Sequence, residues 1–94
     1  MNPVIEINEA VDVIASFRQV TKNKHTAIKA IPLKMLRGGR EVIFTKLGLC
    51  HPVRHGSQLY YIFNVSDGAN DYSLEFDTTT LGWRLISMID GGNL

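Results

Sequence analysis

The sequence predicts a mainly β protein: an antiparallel meander of five or six strands, or a small open barrel, forming a single domain over residues 1–94. Three observations predict this class. Apolar and polar residues alternate along the C-terminal half, glycine-containing turns separate these stretches, and β-branched and aromatic residues are concentrated between the turns. The length suffices for one hydrophobic core and not for two. Residues 1–10 are predicted to form an N-terminal extension, and residues 91–94 a flexible tail.

The N-terminal segment fits two structures. As a strand from about Val11, it places Val13 and Phe17 on one side of the sheet. As a helix over residues 3–19, it begins with Asn2 as the cap and Pro3 in the first turn, which gives an α+β fold. Frequent β-branched residues favour the strand. Helix and strand both stay open for residues 3–18, with residues 3–10 forming either a short helix or an extra strand.

The middle of the chain predicts a hairpin followed by a loop. A strand over residues 26–36 contains Pro32, which predicts an edge position or a bulge because proline lacks a ladder donor. Gly38-Gly39 is a typical two-residue turn, and a β-rich strand follows over residues 41–47. Residues 50–57 lack periodicity and are predicted to form the longest loop.

The C-terminal half predicts three strands, over residues 59–66, 72–77 and 83–90. Asp67-Gly68 marks the first turn, and residues 77–82 the second, with Gly82 in the left-handed conformation. The apolar positions of these strands supply most of the predicted core, whose members are Trp83, Phe63, Phe76, Tyr61, Leu74 and Leu85, completed by Val13, Phe17 and either Ile43 or Phe44. Such a meander must protect its edges by closing or by pairing with a second copy, so a homodimer is a candidate assembly.

The composition limits which cellular compartment and which cofactors we expect. Cys50 is the only cysteine, so the chain has neither an internal disulfide nor a cysteine pair for zinc. The first twelve residues contain no basic residue, and no apolar run is long enough to cross a membrane. We therefore expect a cytoplasmic protein with no membrane partner and no cofactor.

The order of these segments resembles a loose group of small uncharacterised bacterial β-meander proteins. The resemblance is carried by Val-Ile-Ala-Ser-Phe at residues 13–17, the proline-containing strand at residues 31–35, Gly39-Arg40 and Trp-Arg-Leu at residues 83–85. It covers about residues 11–90. Some members are encoded beside translesion-type DNA polymerases, and this implies a connection with nucleic acid or repair. The turn at residues 19–25 is longer and more basic here than the resemblance implies.

Charge is distributed unevenly along the chain. Residues 13–66 contain nine basic residues and one acid, whereas the segments on either side are acidic. A basic face within residues 18–54 predicts phosphate contacts beside a stacking tyrosine, Tyr60 or Tyr61. The candidate nucleic-acid-binding residues are Arg37, Arg40, Lys22, Lys24 and Lys34. The same asymmetry also suits self-association, in which the basic strands of one copy contact the acidic strands of another. It equally suits neutralisation of the charges between neighbouring strands of one sheet.

Cys50, His51 and His55 form the one cluster of metal-ligand or nucleophilic side-chain types. A structural zinc site needs a fourth ligand that the sequence does not offer, so Cys50 is more simply a small half-buried residue and the histidines are more simply exposed. No metal site is therefore assigned.

No catalytic constellation is apparent. Glu75 and Asp77 share the wet face of one strand, which lacks the desolvation that a catalytic carboxylate pair needs. We therefore expect a non-enzymatic macromolecular interaction module that self-associates. The alternative is a nucleic-acid-binding module using the basic face, and a metal-binding or thiol-dependent protein is less favoured.

Overall fold

The computed structural model describes residues 3–91, and within this range the chain is all antiparallel β-structure without a helix. The strands are β1 (Val4–Lys22), β2 (His25–Arg37), β3 (Arg40–Ile43), β4 (Lys46–His55), β5 (Gln58–Ser66), β6 (Asn70–Asp77) and β7 (Trp83–Asp90). The mainly β prediction is confirmed. The described range holds seven strands rather than five or six, because the segment expected to form one strand and a loop forms β3 and β4.

The sheet has the order β3-β2-β1-β7-β6-β5-β4 and curls into a half-barrel. β1 changes partner along its length, pairing with β7 through residues 4–11 and with β2 through residues 12–22. β3 and β4 are also nearly continuous, but β3 pairs with β2 and β4 with β5. Strands that change partner at a bend are the usual means of turning one sheet across another.

The two edges of the half-barrel meet at one end only. There, the Phe44 amide donates to the Leu33 carbonyl at 2.9 Å and the Thr45 amide to the Ser66 carbonyl at 2.8 Å, which joins β2 to β5. Towards the other end, no ladder joins β2 to β4 in the described part of the chain. We call this opening the seam. We call residues 16–31 the arm, because these parts of β1 and β2 pair only with each other.

The core lies on the concave face. Its buried residues are Met35, Phe63, Val65, Tyr72, Leu74, Phe76 and Leu85. Trp83, Tyr61, Val13 and Phe44 pack against them partly buried. Two predicted core members are wrong: Phe17 is 57% exposed, and of the two alternatives at the end of the third strand, Ile43 is 60% exposed. The sequence prediction omitted Met35, Val65 and Tyr72.

The proposed N-terminal helix is wrong. Residues 4–11 pair with β7, starting with Val4 opposite Ile89, so ladder hydrogen bonds stabilise the extended chain here. A bulge between Glu6 and Glu9 accommodates Asn8 at a φ of 55°. The extension predicted for residues 1–10 therefore belongs to β1 from Val4 onwards. The candidate cap Asn2 and most of the predicted tail at residues 91–94 lie outside the described residues.

Both internal prolines lie within strands. Pro32 is opposite Ala15 beside the register shift between Ile14 and Ala15, so the predicted bulge is confirmed. Pro52 is opposite Tyr61 in β4, and the loop predicted for residues 50–57 is wrong except for its last two positions. β4 tolerates proline because it is the outermost strand and one of its edges needs no ladder donor.

The turns follow the glycines with two exceptions, the β1–β2 turn, where Asn23 and Lys24 adopt φ values of 52° and 66°, and the turn before β7. Gly38 and Gly39 have φ values of 56° and 75°, as expected for a two-residue hairpin turn. Gly82, predicted to be left-handed, has no positive φ, and Leu81 adopts 63° instead. The Asp77 carboxylate accepts a hydrogen bond from the Thr79 amide at 2.8 Å and so stabilises this turn. The stabilised turn holds Leu81, a non-glycine residue, in the strained left-handed conformation.

Candidate binding cleft and surrounding charges

The seam opens into an apolar cleft of about 310 Å³ between the arm and the β4–β5 hairpin. Phe17, Ile28, Lys29, Ala30, Leu47, Cys50, Tyr61, Phe63 and Phe76 line it. Strand alternation explains most of the lining, because Ala30 is opposite Phe17 and Cys50 is opposite Phe63 in register. Lys29 alternates away from Ile28 and Ala30 and borders the cleft at its rim, along the edge of β2 that faces the seam. The cleft is therefore the part of the concave face that the sheet leaves uncovered.

A chain of aromatic rings in tilted contact forms the floor of the cleft. The ring of Phe63 lies 5.4 Å from that of Trp83, which lies 4.7 Å from that of Phe76. Phe17 reaches across from the arm to Phe76, with 5.9 Å between ring centroids, but is itself 57% exposed. This contact holds the arm against the main sheet without closing the cleft.

Basic residues flank the cleft on both sides. The arm contains Arg18, Lys22, Lys24 and Lys29 and no acid, and residues 46–66 also lack an acid. Lys29 borders the cleft and is near enough to Cys50 for its charge to act on the thiol. Among the described residues, no hydrogen bond or ion pair involves the ammonium of Lys29.

The five predicted nucleic-acid-binding residues fall at two ends of the molecule. Lys22 and Lys24 are at the tip of the arm, and the other three are at the β2–β3 turn, separated by the thirteen residues of β2, or about 40 Å of extended strand. The turn residues are also partly neutralised. The Arg37 guanidinium binds Glu9 at 2.8 Å, and the Lys34 ammonium binds Glu41 at 3.0 Å.

Arg40 is opposite Arg37 in the β2–β3 pair, beside a hollow at the closed end that Asp67 and Tyr72 also line. The basic face predicted within residues 18–54 is therefore divided, and the arm holds its acid-free part. The predicted stacking residues are also separated: Tyr61 lines the cleft, whereas Tyr60 contacts the His55 ring at 5.6 Å.

The structure separates the predicted Cys50, His51 and His55 cluster. Cys50 lines the cleft, whereas His51 and His55 occupy alternate positions of β4 that face the convex side. Within residues 3–91, no group of three or more histidine, cysteine or acidic side chains is arranged to hold a metal ion. Burial raises the pKa of the Cys50 thiol and the charge of Lys29 only partly opposes it, so the neutral thiol is favoured.

The carboxylates considered for catalysis have structural partners. Hydrogen bonds from the Thr79 amide and from Gln58 hold the pKa of Asp77 below its usual range, although slight burial acts the other way. Gln58 Nε2 donates to both Asp77 oxygens, at 3.0 and 3.1 Å. Glu75 is opposite Arg84 on the convex face. Asp77 thus stabilises a turn.

A second surface, not predicted from the sequence, is apolar. Ile14, Leu33, Leu36 and Ile43 are exposed on the outer face of β1, β2 and β3, and we call them the outer patch. Ile14 is opposite Lys34, which is opposite Ile43, so these residues form one row across three strands. Ile14 and Leu36 are apolar residues at positions where the alternation predicts polar ones. The sequence contains this deviation, but assigning the strands does not make use of it.

Comparison with protein-family models, with curated proteins and with solved structures found no match for this chain. The resemblance to small bacterial β-meander proteins therefore stays a prediction. Separately, no helix in the described part of the chain is long and apolar enough to span a membrane.

Proposed function

We propose that this protein is a non-enzymatic interaction module that self-associates through the outer patch. The single observation that carries the proposal is the size of the exposed surface. The chain exposes 6436 Å², whereas a folded monomer of 10.5 kDa is expected to expose about 5,400 Å². The excess of about 1,000 Å² is close to the roughly 800 Å² that each partner contributes to a standard interface.

The outer patch supports a second copy as the occupant. Ile14 is 47% exposed and Ile43 is 60% exposed, and they lie on opposite sides of Lys34, whose ammonium binds Glu41. The surface is crossed by one balanced ion pair and bordered by the exposed Asp12, which lies opposite Leu36, so only one unbalanced charge opposes an identical surface. A two-fold axis at the patch would set the same four apolar residues of both copies against one another, the usual arrangement of a symmetric dimer.

Sedimentation velocity over a range of protein concentrations tests this proposal. The parent should form a dimer that dissociates on dilution, and Ile43→Lys should weaken it by about tenfold or more, because a charge is buried at the centre of an interface. Leu49→Lys is the matched control, because Leu49 is 76% exposed on β4, away from the patch. A parent that stays monomeric at every concentration, or an Ile43→Lys dimer as tight as the parent, contradicts the proposal.

Nucleic-acid binding by the arm is the second candidate function. The observation that favours it is the absence of any acid from residues 16–31 and 46–66, the two segments beside the aromatic cleft. Cationic grooves with exposed rings are typical of proteins that bind single strands. Of the residues predicted from the sequence, this candidate function retains Lys22 and Lys24 and gives no role to the ion-paired Lys34 and Arg37.

We also propose a cytoplasmic location. The lone cysteine is unpaired and exposed, which suits a reducing compartment.

A further inference from the structure

We propose that the cleft at the seam binds a small amphipathic anion, an aliphatic or aromatic monocarboxylate whose apolar body fills the cleft and whose carboxylate meets Lys29. This site is distinct from the outer patch and does not depend on self-association. It adds a small-molecule function to a domain whose other surfaces suit macromolecules.

The size and position of the cleft fit a small ligand. Its volume of about 310 Å³ lies at the lower end of the roughly 300–1,000 Å³ that ligand pockets occupy. It opens at the seam of a half-barrel, and the mouths of β-barrels are a common location for such pockets. A medium-length alkyl chain or one ring system matches this size better than a folded partner does.

The lining requires an apolar ligand body. Seven of the nine lining residues are aliphatic or aromatic, and Lys29 is the one among them with a formal charge. Two of them, Phe17 and Ile28, remain 57% and 63% exposed on the arm side. An apolar group seated between the arm and the floor would remove this surface from water, which is the main driving force available to the site.

The charge of the surroundings requires an anionic head group. Lys29 borders the cleft, its ammonium has no hydrogen-bond or ion-pair partner among the described residues, and neither flanking segment contains an acid. A carboxylate at the mouth would pair with Lys29 while its tail lies against Phe63. A cation of the same shape would be repelled, so the site should discriminate by the sign of the head group.

Cys50 provides a built-in reporter, because it is the only cysteine in the chain and it lines the cleft. The experiment measures the rate at which iodoacetamide alkylates Cys50 in the presence of decanoate, decanol or decylamine. Decanoate should slow alkylation saturably, decanol less, and decylamine least. Absence of protection by decanoate up to its solubility limit overturns the proposal, and so does equal protection by decanoate and decylamine.

Two variants test the role of Lys29. Lys29→Glu should weaken the protection by decanoate by up to about tenfold, since an exposed charge pair is replaced by repulsion. Lys24→Glu, which makes the same change at the tip of the arm, should leave it unchanged. Equal effects of the two variants would mean that only the general charge of the arm matters and would overturn the proposed contact.

A third variant tests the cleft itself, and a fourth separates this site from the dimer. Ala30→Phe should fill the cleft and remove the protection by decanoate while the far-UV circular dichroism stays that of the parent. Ile43→Lys should retain the protection by decanoate, whatever the oligomeric state of this variant. If Cys50 becomes less reactive as protein concentration rises without ligand, or is protected by oligothymidylate and not by decanoate, the occupant is a second copy or a nucleic acid and the proposal fails.

Discussion

Asp67 is the residue on which the turn between β5 and β6 depends. Its carboxylate accepts hydrogen bonds from the Ala69 amide at 2.8 Å, the Asn70 amide at 2.7 Å and the Tyr72 hydroxyl at 2.9 Å. Partial burial alone would raise the pKa of Asp67, but these hydrogen bonds to the charged form outweigh it and hold the pKa below its usual range. The turn is thereby tied to Tyr72, a buried core residue.

We expect Asp67→Ala to cost about 1–2 kcal/mol of unfolding free energy at neutral pH, as the loss of charge-assisted hydrogen bonds usually does. A carboxylate with a lowered pKa in the folded state stabilises it above the unfolded pKa of about 3.9, and this contribution is lost as the pH falls through the folded value. Urea unfolding at pH values well above and well below the unfolded pKa should therefore show a difference between parent and variant that shrinks in acid.

Asp12→Ala is the control for this prediction, since Asp12 is exposed on β1. It should change the free energy of unfolding little at either pH. An Asp67→Ala deficit of the same size in acid as at neutral pH would show that the charge of Asp67 does not stabilise the turn.

At the scale of elements, the arm and the main sheet differ in how well they are packed. Phe63 in β5 is 3% exposed, whereas Phe17 in the arm is 57% exposed and contacts the core through Phe76. The arm also lacks further strand partners along residues 16–31. Its local stability should therefore be lower than that of β5, β6 and β7.

Phe63→Ala should cost about 3–5 kcal/mol of unfolding free energy, because it removes a ring that is almost fully buried beneath the cleft and packed against Trp83. Phe17→Ala removes the same atoms from an exposed position and should cost no more than about 1–1.5 kcal/mol, the range of an aromatic pair. Chemical denaturation of both variants measures the difference. Similar losses in the two variants would mean that the arm is packed as tightly as the sheet.

The elements also show how far the alternation in the sequence predicts structure. The strands over residues 59–66, 72–77 and 83–90 were predicted closely, because side chains alternate between a buried and a wet face there. β4 was predicted as a loop because its outermost position permits Pro52 and a bulge after Leu47. The N-terminal half of β1 was ambiguous because β7, the partner that extends it, is almost eighty residues away in sequence.

At the scale of the whole molecule, folding divides the basic segment into two groups. Lys34 and Arg37 are paired with acids near the closed end, whereas the arm carries its four basic residues alone at the open end. Lys24 at the tip of the arm and Arg37 near the closed end are separated by the thirteen residues of β2, or about 40 Å of extended strand, which is several Debye lengths of roughly 8 Å at physiological salt. The two groups act as separate electrostatic surfaces.

If the arm binds nucleic acid, the double variant Lys22→Glu, Lys24→Glu should lower the affinity for single-stranded oligothymidylate by at least about tenfold. The slope of log affinity against log salt concentration should become shallower by about 1.4, because two phosphate contacts are lost. The matched double variant Arg37→Glu, Arg40→Glu should change the affinity little. Fluorescence anisotropy at several salt concentrations measures both. Equal losses in the two variants, or none in the first, would contradict binding by the arm.

The sequence by itself determined the β class, most of the turns and which side of each C-terminal strand is buried, since these follow from local alternation and backbone preference. Only the tertiary structure decided that β1 changes partner, that Cys50 faces away from His51 and His55, and that the seam stays open. The reason is that pairing and curvature depend on hydrogen bonds between residues distant in sequence, which no local pattern encodes. The candidate cleft therefore could not be predicted from the sequence, although the sequence contains every residue that lines it, because folding brings these residues together from five strands.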